Sequence, residues 1–181
     1  IKRSKITKDA FRIFDAGTGD GSVIESGDVV AFDTDMVGPY GYCADISRTF
    51  VEGNKFSDEQ RRLYDLALEH INHNKSLIKA GVNFLEFAEQ SWKLPDNCYD
   101  NHYPCIIHGV GLCDEWPFVA YPNKDFSNSD YSACFEENMT ICVESYIGEV
   151  GGKEGIKLED QFLVTKDGLK QLSSFPYEYS N

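Results

Sequence analysis

Two acidic residues stand inside apolar, strand-like runs, and they limit what this chain can fold into more than any other feature. Glu144 lies in Ile141-Cys142-Val143-Glu144-Ser145-Tyr146, and Glu159 in Ile156-Lys157-Leu158-Glu159-Asp160-Gln161-Phe162-Leu163. A carboxylate carried into a sheet interior needs a partner, because an unpaired buried charge is costly. The glycine-rich link Gly148-Glu149-Val150-Gly151-Gly152-Lys153-Glu154-Gly155 joins the two runs as a hairpin and so faces the acids together.

Further donors sit in comparable positions. After the turn Ser26-Gly27-Asp28, Val29-Val30-Ala31-Phe32-Asp33-Thr34-Asp35 reads as a strand. Alternation along it sends Asp33 and Asp35 to one face. The glycines and Pro39 of Val37-Gly38-Pro39-Tyr40-Gly41-Tyr42 mark a turn, and a return strand from Cys43 to Val51 sets Asp45 opposite the pair. Three carboxylates at one point are an oxygen-rich arrangement suited to a hard cation. His108 closes the buried-strand pattern Cys105-Ile106-Ile107-His108-Gly109-Val110-Gly111, whose glycines permit close backbone approach. Five carboxylates and one imidazole suit two divalent metal ions, about 3.5–4 Å apart in sites of this type.

Between these segments the pattern is helical. Ser57-Asp58-Glu59-Gln60 has the form of a capping box, and Leu63, Leu66, Ala67, Ile71 and Ile78 keep helical period as far as Gly81. A shorter helix is expected from Phe84 to Trp92, closed by Pro95. Strands at both ends with helices between them predict an α+β fold, and 181 residues without an interdomain linker predict a single domain, 1–181. Phe11-Arg12-Ile13-Phe14-Asp15-Ala16-Gly17-Thr18 matches no motif.

A net charge of -13 excludes nucleic acid as a natural partner, since neutralising phosphates takes a surplus of Lys and Arg. No stretch has the apolar length of a membrane span or the basic amphipathic character of a membrane-surface helix. The six cysteines (43, 98, 105, 113, 134 and 142) form no CxxC pair, so free and mostly buried thiols are expected. Together these features predict a cytoplasmic protein acting on a small molecule. An acidic surface repels anions, so an anionic substrate would need a local cation, which bound metal supplies.

The ordered set Asp, Asp, His, Glu, Glu resembles that of the pita-bread metallopeptidases, which include methionine aminopeptidase, prolidase and aminopeptidase P. The resemblance rests on Gly27 to Asp33, Tyr42-Cys43-Ala44-Asp45-Ile46-Ser47-Arg48-Thr49-Phe50, His108-Gly109-Val110-Gly111-Leu112, Glu144 and Glu159. It implies a pita-bread catalytic domain with Asp33, Asp35, Asp45, His108, Glu144 and Glu159 as metal ligands.

Two departures qualify it. Nine residues separate Asp35 from Asp45 and eleven separate Asp33 from it, a rebuilt hairpin with one extra acid. Seven residues after His108, where the peptidases carry a second histidine, stands Glu115, preceded by Asp114. An ionised acid does not replace a neutral or cationic imidazole near neutral pH. Both departures, with Tyr103, resemble the DddP class of dimethylsulfoniopropionate (DMSP) lyases.

That branch implies a β-elimination releasing dimethyl sulfide and acrylate. Asp114 would be the catalytic base, Tyr103 and Trp116 would bind substrate, and iron would be favoured over zinc, manganese or cobalt. Desolvation beside Trp116 and Phe118 would have to raise the basicity of Asp114. The sulfonium would favour aromatic faces, with Tyr103, Trp116, Phe118 and Tyr146 as candidates. A metallo-aminopeptidase or Xaa-Pro dipeptidase is the alternative, and a non-catalytic pita-bread binding module the third. Relatives of this kind carry an N-terminal portion ahead of the first metal Asp, where this chain has 32 residues, so an N-terminally shortened domain and a homodimer in the full-length protein are expected.

Overall fold

The computed structural model describes residues 2–3, 23–53, 55–122 and 131–177. The stretch from Phe11 to Ser22 lies outside them.

The larger sheet is antiparallel, with strand order β10-β9-β8-β6-β7. Its strands are β6 (Cys105–Val110), β7 (Asp114–Ala120), β8 (Thr140–Gly148), β9 (Gly155–Thr165) and β10 (Gly168–Gln171). A smaller sheet orders β1 (Lys2–Arg3), β2 (Val29–Asp33) and β5 (Ser47–Val51). Between β2 and β5 a two-stranded hairpin, β3 (Met36–Val37) with β4 (Cys43–Ala44), stands apart.

Helix α1 (Asp58–Leu77) begins in the expected capping box: Gln60 N donates to Ser57 Oγ, and Ser57 N donates to Gln60 Oε1. It ends at Leu77, short of Gly81, and α2 spans Phe84–Gln90, short of Trp92. Each helix stops when its backbone turns extended, at Ile78 and at Ser91. Leu63, Tyr64, Ala67 and Ile71 of α1 are buried in one core with Ile141, Val143, Ile147, Ile156 and Leu158. The α+β expectation holds, with an apolar sheet face under α1.

Because side chains alternate along a strand, this packing sends the neighbours of the core residues to the other face. In β8 and β9 those neighbours are Cys142, Glu144, Lys157, Glu159 and Gln161. The ladder pairs Glu144 directly with Glu159, as the hairpin predicted. On β6, His108 pairs with Cys142.

The smaller sheet meets β9 through side chains. The Thr49 hydroxyl donates to Lys157 O at 2.6 Å and accepts from Lys157 N at 3.0 Å. Arg48 pairs with Asp160 at 2.7 Å, and its guanidinium lies 4.2 Å from the ring centre of Tyr177.

Gly109 shows why β6 needs glycine there. A Cβ at this position would lie 2.3 Å from Trp116 O and 2.8 Å from Pro117 Cδ, so β7 crosses β6 closer than any side chain permits. No described helix is long and apolar enough to cross a membrane.

Candidate metal centre

Asp33, Asp35 and Asp45 converge, but not by the expected route. The strand ends at Asp33, whose register partner is Ser47 rather than Asp45. The β3–β4 hairpin then peels away, and Asp35 takes a left-handed backbone with φ of 36°. Aspartate is among the few residues that tolerate that region. The Thr34 hydroxyl accepts from Ile46 N at 3.0 Å, and Asp35 N donates to Asp45 Oδ1 at 3.4 Å, closing the turn. Ligand atoms of the three carboxylates lie within 4.8 Å of one another. A turn does what strand alternation was expected to do.

A second group shares Asp45. It comprises Asp45, His108, Cys142 and Glu159, all buried, again with potential ligand atoms within 4.8 Å of one another. His108 Nε2 is 2.9 Å from Glu159 Oε1, 3.7 Å from Asp45 Oδ2 and 3.8 Å from Glu144 Oε1. Its other ring nitrogen, Nδ1, lies 3.1 Å from Gly109 O. A carbonyl only accepts, so Nδ1 carries a proton here, and Nε2 is the atom aimed into the acids.

The electrostatics are those of a cation site. Burial and the charges of Glu159, Asp33 and Asp35 push Asp45 up to about 9. Burial raises Glu144 to about 7 despite the nearby Lys157. Burial alone would lower His108, but its hydrogen bond to Glu159 and the charges of Glu144 and Glu159 raise it to about 10. Burial likewise opposes ionisation of Glu159, yet Lys157, His108 and the Ser47 hydroxyl hold it at about 2.

Glu144 Oε1 is buried and accepts no hydrogen bond among the described residues. A buried acceptor left open beside His108 Nε2 is what a metal ligand would leave behind, so the donor set fits divalent cations.

Two members of this cluster escaped sequence reasoning. Cys142 is a buried thiol, as expected of the cysteines, but it lies among the acids, its Sγ 3.7 Å from Asp45 O. Lys157 is 6% exposed, and its Nζ reaches Glu144 Oε2, Asp33 Oδ2 at 3.5 Å and Glu159 Oε2 at 3.7 Å. The available signal was a lone lysine two positions before a buried acid in the same strand, hence on the same face.

The residues placed around the centre divide. Asp114, with 23% of its side chain exposed, lies with Oδ1 3.8 Å from His108 Nδ1, and Glu115 N donates to the same oxygen at 3.1 Å. Tyr103 donates from its hydroxyl to Glu115 Oε1 at 3.3 Å, and Lys157 Nζ lies 4.7 Å from its ring centre. Burial first, then Glu144, raises the Tyr103 hydroxyl well above its usual range. Trp116 is 56% exposed, edge-on to Phe118, and borders an apolar cavity of about 260 Å³. Ile107, Gly109 and Ile141 also line that cavity, and they alternate with His108 and Cys142. The structure therefore groups Asp114 and Tyr103 with the acids and leaves Trp116 on the cavity.

A helix-backed antiparallel sheet carrying this Asp, Asp, His, Glu, Glu order is the pita-bread arrangement, and residues 10–166 match the model of metallopeptidase family M24. The chain belongs to that family. It is 42% identical over 158 residues to dimethylsulfoniopropionate lyase DddP of Roseovarius nubinhibens, covering 86% of this chain and 35% of the lyase. It is 31% identical over 157 residues to an Xaa-Pro dipeptidase of Pyrococcus horikoshii, covering 83% of this chain and 40% of the dipeptidase. Among solved structures, the prolidase of P. horikoshii superposes with a TM-score of 0.72 at 27% identity, over 92% of this chain and 46% of that one. The chain thus spans about a third to a half of the length of the relatives it matches.

Proposed function

We propose that the full-length protein is a metal-dependent DMSP lyase, with Asp33, Asp35, Asp45, His108, Glu144 and Glu159 as ligands to two divalent ions, iron favoured. The observation that carries this reading is Asp114 beside His108 Nδ1, with Glu115 where a peptidase would place its second histidine. The 42% identity to a DMSP lyase supports the same branch.

When bound, divalent ions here supply positive charge that holds a substrate carboxylate and acidifies the adjacent C–H. Asp114 takes the proton from that carbon. The C–H electron pair becomes the new C=C bond, the C–S bond breaks with its pair going to sulfur, and neutral dimethyl sulfide leaves acrylate behind. Glu115 N, donating to Asp114 Oδ1, leaves Oδ2 as the basic oxygen. Tyr103, held by Glu115 and Lys157, walls the substrate side. Trp116, expected to bind substrate, borders the apolar cavity rather than the acids and has no role in this reading.

By the same resemblance the full-length protein is a homodimer, and six free cysteines support a cytoplasmic setting. The second reading, an Xaa-Pro dipeptidase, draws on the prolidase-like fold.

The test is to incubate metal-loaded full-length protein with DMSP and, separately, with an Xaa-Pro peptide. Dimethyl sulfide release that vanishes in Asp114→Ala, at unchanged metal content, is the expected result. Peptide cleavage without sulfide release would overturn the lyase reading.

A further inference from the structure

In the chemistry above Lys157 only backs the Tyr103 ring, yet its ammonium is buried at the centre of the acids. Its backbone is fixed from both sides: Thr49 Oγ1 accepts from its N–H and donates to its carbonyl. The side chain shares the Glu159 face of β9 and reaches diagonally to Glu144 on β8. It also lies within 3.7 Å of Asp33 and Glu159 carboxylate oxygens, with the ring centre of Tyr103 at 4.7 Å. One ammonium therefore touches three of the six candidate ligands and the tyrosine beside them.

Two consequences follow from charge and geometry. Five carboxylates set against two divalent ions leave one negative charge, which the ammonium neutralises. And because Lys157 engages Glu144 Oε2, only Oε1 of that residue faces His108 Nε2, at 3.8 Å.

We propose that Lys157 is a positioning residue built into the metal centre, a fixed cation that makes Glu144 bind metal through a single oxygen. This deepens the reading of the cluster as a metal centre and rests on it. Residues that orient metal ligands typically change affinity by about 10–100-fold when removed.

The experiment loads full-length wild type, Lys157→Met and Lys157→Arg with Co²⁺. It follows stoichiometry, affinity and visible d–d absorption, with circular dichroism as the folding control. Wild type is expected to bind two Co²⁺. Lys157→Met is expected to bind at least about tenfold more weakly, with altered d–d bands as Glu144 gains a second oxygen. Lys157→Arg, which keeps the charge, is expected to restore the wild-type spectrum.

A folded Lys157→Met with wild-type spectrum and equal or tighter affinity would overturn the proposal. Should Lys157→Met not fold, Lys157→Arg decides, and folded Arg variant without wild-type Co²⁺ binding refutes it. Wild type that binds no Co²⁺ refutes the metal centre itself rather than the role of the lysine.

Discussion

His70 provides a stability measurement that is independent of metal. It sits under β8 on the core side, its Nδ1 2.7 Å from Ser145 Oγ and its Nε2 3.1 Å from Tyr121 OH. The ring stacks on Tyr121 and tilts against Trp92, with centroid distances of 6.0 and 5.1 Å. Burial, with a smaller contribution from His73, lowers its pKa from 6.5 to about 3. The unfolded chain therefore takes up this proton as pH falls through 6.5, while the folded chain refuses it until about pH 3. Folding loses up to about 1.4 kcal/mol per pH unit across that window, about 5 kcal/mol at the limit, and the loss levels off below it.

The assay is urea unfolding of wild type and His70→Gln at pH values from 7 to 4. Glutamine can keep a hydrogen bond while removing the titration, and carboxylates elsewhere contribute to both proteins and cancel in the difference. His70→Gln is expected to be the less stable at pH 7 by about 1–3 kcal/mol, from imperfect filling and lost stacking. Between pH 6 and pH 4 the gap should narrow by about 2–3 kcal/mol. Parallel pH curves, or an NMR titration of the His70 ring near 6.5, would refute the reasoning.

Gly109→Ala drives a methyl into Trp116 O and Pro117 Cδ; it should cost more than about 1–3 kcal/mol in denaturant unfolding and weaken metal binding through the adjoining His108. Ser57→Ala removes one half of the capping box and should cost about 1 kcal/mol in the same assay, with metal affinity unchanged. Divalent metal at about 100 times its Kd should stabilise the folded chain by about 2.7 kcal/mol, read as a rise in Tm. Asp45→Asn, which alters the carboxylate shared by both groups, should abolish most of that rise, and an undiminished rise would count against the proposed ligand set.

What could be read in advance was whatever depended on period. Glu144 and Glu159 face each other because a two-residue repeat holds across a short hairpin, and α1 starts at Asp58, capped by Ser57, because the capping signal is local. Asp33 and Asp35 came together as predicted, for another reason: tertiary pairing of Asp33 with Ser47 ended the strand and left Asp35 to a positive φ. Periodicity carries no information about where a ladder stops. Cys142 and Lys157 escaped because each residue type has an ordinary explanation in isolation, a buried thiol and a solvated lysine. Their placement depends on pairing with β6 and on clamping by Thr49, which are long-range facts.

The unbroken nine-rung ladder from Thr140–Leu163 to Gly148–Gly155 has a consequence for how this protein can fail. A strand slipped by one residue would turn Glu159 toward α1 while Glu144 stayed behind, and a slip by two would set Glu144 against Lys157 or Gln161. Either slip breaks the Glu144–Glu159 pairing and leaves the centre incomplete. Metal uptake therefore reports correct alignment of the two strands, and an ion supplied during folding would selectively trap the chains that had zipped in the right frame.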